Sequence, residues 1–208
     1  MAYPTIESTL AVVILAAGCS SRLGQPKQLV EVQGCTLIER QCELALTLTE
    51  DVFVVVGYHA EKVKKVINHL PVKVITNINW QQGMGSSIAA GVNALPSTVK
   101  GAMLLLVDQW QLTAADLALT KQTWHQSSNN IICARGKSGA LSPPIIFPCD
   151  YFKQLKHIPP DSGAKAIVNQ HGDNVISVSS EAAFADLDTP EHLQQCLRYF
   201  QTMNSDLA

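Results

Sequence analysis

The chain has 208 residues, with 15 Lys and Arg against 17 Asp and Glu, a formal net charge of −2 and 47% hydrophobic residues. So much apolar content with so few charges excludes a disordered chain, and the near-neutral balance argues against a nucleic-acid partner, whose binding surface normally leaves a basic excess. No apolar run approaches the roughly 18 residues that span a bilayer, and MAYPTIESTL has no basic stretch before its apolar run, so a cytoplasmic protein with no membrane partner is expected.

In chain order, short β-branched apolar runs predict strands over 11–16, 52–56, 72–76, 102–107, 131–134, 144–147 and 175–178. They lack polar alternation, as strands covered on both faces do. Between them the spacing predicts helices over 36–48, 60–69, 86–95, 113–125 and 190–203. Thr36 with Glu39, and Thr113 with Asp116, stand at capping-box spacing, and Thr189-Pro190 places Pro at a first helical position. The alternation predicts an α/β fold: one Rossmann-like, mostly parallel sheet with helices on both faces. No repeat, low-complexity tract or linker interrupts it, so residues 1–208 are expected to form one domain. The cysteines, Cys19, Cys35, Cys42, Cys133, Cys149 and Cys196, form no C-x-x-C pair and read as small hydrophobes rather than a zinc site.

Ligands of such sheets bind beyond the carboxyl ends of the strands. The loop after the first strand reads Leu15-Ala16-Ala17-Gly18-Cys19-Ser20-Ser21-Arg22-Leu23-Gly24-Gln25-Pro26-Lys27. Its small residues allow backbone N–H groups to approach an anion closely, and Arg22 and Lys27 add two cations suited to a triphosphate. It is neither a Walker A loop nor G-x-G-x-x-G. Gly83-Met84-Gly85 is a loop that passes close to something, and Ser86-Ser87 then open a helix, either as an ordinary cap or to hold a base or ribose. Asp108 closes an apolar run at a strand's carboxyl end; beside a phosphate loop, holding a cation is preferred to capping a turn. Asp186 and Asp188 alternate on an extended segment and project to one side, to complete a metal shell or to cap the last helix.

These residues carry a resemblance. L-A-A-G-x-S-x-R-x-G-x-P-K resembles the signature of the MobA-like NTP transferases, the molybdenum-cofactor guanylyl- and cytidylyltransferases. Asn77-Ile78-Asn79-Trp80-Gln81-Gln82-Gly83-Met84-Gly85-Ser86-Ser87, Asp108-Gln109, and Asp186-Leu187-Asp188-Thr189-Pro190 resemble that family's later motifs, in the same order. Trp110 stands where the family has Pro, and Pro160 replaces a Gly in the acceptor-side motif around Asp161-Ser162-Gly163-Ala164.

The resemblance, which looks closest to the molybdopterin cytidylyltransferase type, implies a nucleotide half at about 10–110 and an acceptor half at about 111–200. It also implies Mg²⁺-dependent transfer of CMP from CTP to an acceptor phosphate, molybdopterin first, with release of pyrophosphate. Leu15, Ala16, Ala17, Gly18, Gly83, Ser86 and Ser87 would hold the nucleotide. Arg22 and Lys27 would neutralise the leaving phosphates, and Asp108 would hold Mg²⁺ with Asp186 or Asp188. Ala17, where the guanylyl branch carries Gly, favours the smaller pyrimidine. A sugar or polyol phosphate as acceptor, and a non-catalytic nucleotide-binding factor serving a molybdoenzyme, are the alternative readings.

Overall fold

The computed structural model describes residues 9–205. Its strands are β1 (Leu10–Ala16), β2 (Glu31–Val32), β3 (Cys35–Thr36), β4 (Val52–Val56), β5 (Lys73–Thr76), β6 (Gly101–Leu106), β7 (Ile131–Arg135), β8 (Leu141–Pro148) and β9 (Val175–Ser179). Seven of them form one sheet in the order β5-β4-β1-β6-β8-β7-β9, while β2 and β3 pair in a small separate hairpin. The helices are α1 (Leu37–Leu46), α2 (Ala60–Val66), α3 (Met84–Asn93), α4 (Ala114–Gln126), α5 (Phe152–Lys156), α6 (Lys165–Gln170) and α7 (Pro190–Ser205). Among the described residues, no helix is long and apolar enough to cross a membrane.

The expected α/β architecture is present. Strand β1 pairs in parallel with β4 and β6, β4 with β5, and β7 with β9. The exception is β8, antiparallel to both β6 and β7. Only the short segment 136–140 joins β7 to β8, and a hairpin of that length returns the chain antiparallel because a parallel return needs a long crossover.

Alternation along β1 sorts its side chains to two cores. Val12, Ile14 and Ala16 face a cluster completed by Ile38 of α1, Val63 of α2 and Leu117 and Trp124 of α4. Ala11, Val13 and Leu15 face Ile88 and Val92 of α3, Leu155 of α5 and Ile167 of α6. A third cluster bears on function: Leu23 and Val30, from the long loop after β1, pack with Leu37, Trp110, Leu187, Cys196 and Phe200. It fastens the glycine-rich loop to the turn after β6 and to the C-terminal helix.

Both expected capping boxes form. The Thr36 hydroxyl accepts from the Glu39 N–H while the Glu39 carboxylate accepts from the Thr36 N–H, and Thr113 and Asp116 do the same. The third helix differs from expectation. It starts at Met84 with Gly83 as its cap, at φ +120°, so Ser86 and Ser87 lie inside the first turn rather than before it.

Candidate active site

The carboxyl ends of β1 and β6 and the start of α3 converge on a cavity of about 350 Å³. Among the nominated residues, Leu15, Ala17, Gly18, Lys27, Gly83, Ser87 and Asp108 line it. Two others do not. Ala16 is buried at the end of β1 with its carbonyl accepting from Gln28 Nε2 at 2.8 Å. Ser86 is turned into the loop before α3, its Oγ 2.8 Å from Gly83 O and 3.0 Å from Asn79 O while accepting from Asn77 Nδ2 at 2.8 Å. The same Asn77 nitrogen donates to Ser87 Oγ at 3.0 Å. Ser86 thus braces the loop, and Ser87 faces the cavity.

Several lining residues were not nominated from the sequence: Cys19, Gln28, Trp80, Gln81, Met84 and Leu106. Trp80 forms a wall. A Cβ placed on Gly57 would lie 2.6 Å from Trp80 Cβ and 2.9 Å from Ala17 Cβ, so glycine at 57 is what lets the indole and the Ala17 methyl meet over the end of β4. Tyr58 packs on Trp80, its ring centroid 5.5 Å from that of Trp80 and its N–H donating to Ala17 O at 3.0 Å. Nothing local in the sequence announces this contact, which joins three separate loops.

At the charged end, Lys27 Nζ lies 2.5 Å from Asp108 Oδ2 and 2.9 Å from Asp188 Oδ1. Arg22 Nη2 reaches the other oxygen of Asp188 at 2.9 Å, but its side chain is 72% exposed against 15% for Lys27. Burial alone lowers the pKa of Lys27, but the charges and hydrogen bonds of Asp108 and Asp188 outweigh it and hold the ammonium above its ordinary value. Burial likewise pushes Asp188 up, and the opposing pull of Lys27 and Arg22 leaves it below the usual carboxylate range. Asp186 has no such partner. Burial, then the charges of Asp108 and Asp188, push it up to about 6 against the weaker pull of Lys27 and Lys165. Its Oδ1 is buried without a hydrogen bond.

Two carboxylates therefore hold one ammonium, and an oxygen of a third, Asp186, is orphaned. Among the described residues no group of three or more His, Cys, Asp or Glu is placed to hold a metal unaided. Mg²⁺ does not require one, since it is usually held by one or two carboxylates together with substrate phosphates and water. The all-oxygen donors of Asp108 with Asp186 or Asp188 suit such a hard cation, and the orphaned Asp186 oxygen is the group most in need of one.

A second cavity, also about 350 Å³, shares Leu15, Met84 and Leu106 with the first and adds Ser142, Lys165 and Asp186. The departures at 110 and 160 find local explanations. Trp110 is 7% exposed, lies outside the cavity lining and packs on α7, its ring centroid 5.1 Å from that of Tyr199 and 6.0 Å from that of Phe200. Pro160 contributes only its carbonyl, which accepts from the Gly85 N–H at 2.8 Å, a bond that residues of any type can make.

A mostly parallel sheet whose first loop carries small residues and a half-buried Lys, facing an Asp at the end of a neighbouring strand, defines the class: a Rossmann-like α/β nucleotidyltransferase. The model of the MobA-like NTP transferase domain matches residues 12–175, and the chain belongs to that family; its enzymatic activity is nucleotidyl transfer. The nicotine blue oxidoreductase of Paenarthrobacter nicotinovorans is 28% identical over 89% of this chain and 95% of its own length. The molybdenum cofactor cytidylyltransferase of Escherichia coli is 29% identical over 42% of this chain and 46% of its own. Among solved structures, a nucleotidyl transferase from Methanothermobacter superposes with a TM-score of 0.81 at 17% identity, covering 94% of this chain and 99% of that one. Rv0371C from Mycobacterium tuberculosis in complex with manganese gives 0.74 at 21%, covering 91% and 98%. At these identities the structures show the shared fold.

Proposed function

We propose that this chain transfers CMP from CTP to a phosphorylated small-molecule acceptor, molybdopterin being the acceptor put forward. The observation that carries the reading is Lys27, half-buried and held between Asp108 and Asp188 at one end of a cavity whose other walls are Ala17, Gly18, Trp80 and Ser87. A phosphate oxygen of the acceptor attacks the α-phosphorus of CTP in line. One P–O bond forms there, the bond from the α-phosphorus to the bridging oxygen breaks, and pyrophosphate leaves with the electron pair. No protein nucleophile takes part, so positioning and charge neutralisation carry the rate.

Lys27, already desolvated, exchanges its carboxylate partners for the leaving phosphates, and Arg22, on the exposed side, follows the same charge. Gly18 and its neighbours offer the backbone to the phosphates, and Ser87 offers a hydroxyl to the ribose or base. When bound, Mg²⁺ supplies further neutralisation at the phosphate oxygens; Asp108 with Asp186 or Asp188 would hold it, and manganese in Rv0371C supports a divalent ion in this fold. The acceptor enters from the second cavity, where Lys165 is the cation beside Asp186.

The choice of CTP rests on the Ala17 methyl, which meets Trp80 over Gly57 and narrows the wall where the guanylyl branch carries Gly. A wall of this kind separates ligands by about 1–3 kcal/mol. Thermal stabilisation by CTP, GTP, ATP and UTP with Mg²⁺ tests the choice, because ligands stabilise by mass action. CTP should raise the melting temperature most, and Ala17→Gly should narrow its lead over GTP. A larger shift with GTP in the wild type would overturn the cytidylyl assignment and leave nucleotidyl transfer standing.

A further inference from the structure

Pro26-Lys27-Gln28 sends two long side chains from one helical turn in different directions. Lys27 reaches Asp108 and Asp188, whereas Gln28 turns under the loop that follows β1 and is 1% exposed. Its Nε2 donates both hydrogens to that loop, to Ala16 O at 2.8 Å and to Gly18 O at 2.7 Å. Both neighbours are acceptors, so the amide has one possible orientation, nitrogen toward the loop. The other end, Oε1, is buried with no donor.

In a trans peptide the N–H points opposite the C=O. Anchoring the Gly18 carbonyl therefore fixes the N–H of Cys19 on the far side of the chain, while Ala17 O, accepting from the Tyr58 N–H, fixes that of Gly18. Among the described residues, the N–H groups of Gly18 and Cys19 donate to no protein acceptor. Both residues line the cavity. Without Gln28, the Gly18–Cys19 peptide loses this anchor and can turn its carbonyl oxygen toward an incoming phosphate, converting an attractive wall into a repulsive one.

We propose that Gln28 is a positioning residue that sets the phosphate-binding face of this loop, so that the N–H of Cys19 meets the triphosphate of the nucleotide. The inference rests on the nucleotide reading above. It separates Gln28 from a filler of the core: a structural role lowers stability and weakens all ligands alike, whereas a positioning role weakens phosphate-bearing ligands selectively.

The test uses the full chain and its Gln28→Met variant, which keeps the volume and removes both donors. Calorimetric titration with CTP, inorganic pyrophosphate and cytidine should show losses of about tenfold or more for the first two, with cytidine unchanged. Equal losses for all three ligands, or no loss for CTP, would overturn the proposal. Should the variant fail to fold, the wild-type backbone amide decides. The resonance of Cys19 should shift with pyrophosphate and not with cytidine, and an unmoved resonance would overturn it. A wild type that binds none of the four nucleoside triphosphates sinks the nucleotide reading itself, whereas wild-type binding with an indifferent Gln28→Met sinks only the role of Gln28.

Discussion

Lys27 and Arg22 share Asp188 and yet should behave differently when removed. Lys27 is the less exposed member, and its loss leaves Asp108 and Asp188 facing each other with no cation between them. Lys27→Ala should therefore weaken CTP and pyrophosphate strongly and lower the melting temperature, while Arg22→Ala, losing a mostly exposed pair, should weaken CTP mildly and leave stability unchanged. Cytidine affinity should hold in both variants; equal effects of the two substitutions on CTP would contradict the assignment. Asp108→Asn keeps the volume and removes the anionic oxygen, so turnover should fall by about 100-fold or more with the fold intact. Near-full activity with unchanged Mg²⁺ dependence would remove Asp108 from the metal's ligands.

Asp186 makes a separate prediction about pH. Its folded pKa stands at about 6, raised by burial and then by Asp108 and Asp188, above its unfolded value of about 3.9. The folded state then binds the extra proton, so stability falls as pH rises across that window and stays lower above it. Asp186→Asn should raise the melting temperature above about pH 6 in metal-free buffer, with the gain vanishing below about pH 4. A gain independent of pH would show that the Asp186 charge is not what the fold resists.

At the scale of elements, what depends on a few adjacent residues was legible and what depends on distant packing was not. Thr36 with Glu39 and Thr113 with Asp116 cap α1 and α4 as their spacing indicates, because a capping box is complete within four residues. Thr36→Ala should cost about 1 kcal/mol in denaturant unfolding. The bonds from Thr36 outweigh burial and hold Glu39 below its ordinary value, so that part of the contribution is present at neutral pH and is lost as the pH falls through the carboxylate range. By contrast, α5 and α6 are only five and six residues long, too short to show a period, and their burial against α3 and the sheet settles them. The start of α3 moved for a related reason. Gly83 takes φ +120°, and a Cβ there would lie 2.5 Å from Pro160 O, so the cap is set by a segment far along the chain. Gly83→Ala should destabilise by about 1–3 kcal/mol and loosen the cavity wall, seen as faster exchange of the Gly85 amide that bonds Pro160 O.

Across the molecule, one sheet carries two adjoining cavities that meet at Leu15, Met84 and Leu106. The β1 loop, Asp108 and the Asp186–Asp188 segment were legible because each lies at a strand end or in a contiguous motif. Trp80, Met84 and Gln28 were not nominated: their place in the site depends on Gly57, on the segment at 159–163 and on two loop carbonyls. Trp110, a departure from the family pattern, became intelligible only once α7 was seen to pack against it.

Pyrophosphate release, measured with the full chain, Mg²⁺, CTP and molybdopterin, each component omitted in turn, tests the proposed transfer most directly. Release should require all four and should fall by about 100-fold or more in Asp108→Asn. Release that is the same without molybdopterin, or none from CTP while GTP supports it, would contradict transfer of CMP to that acceptor.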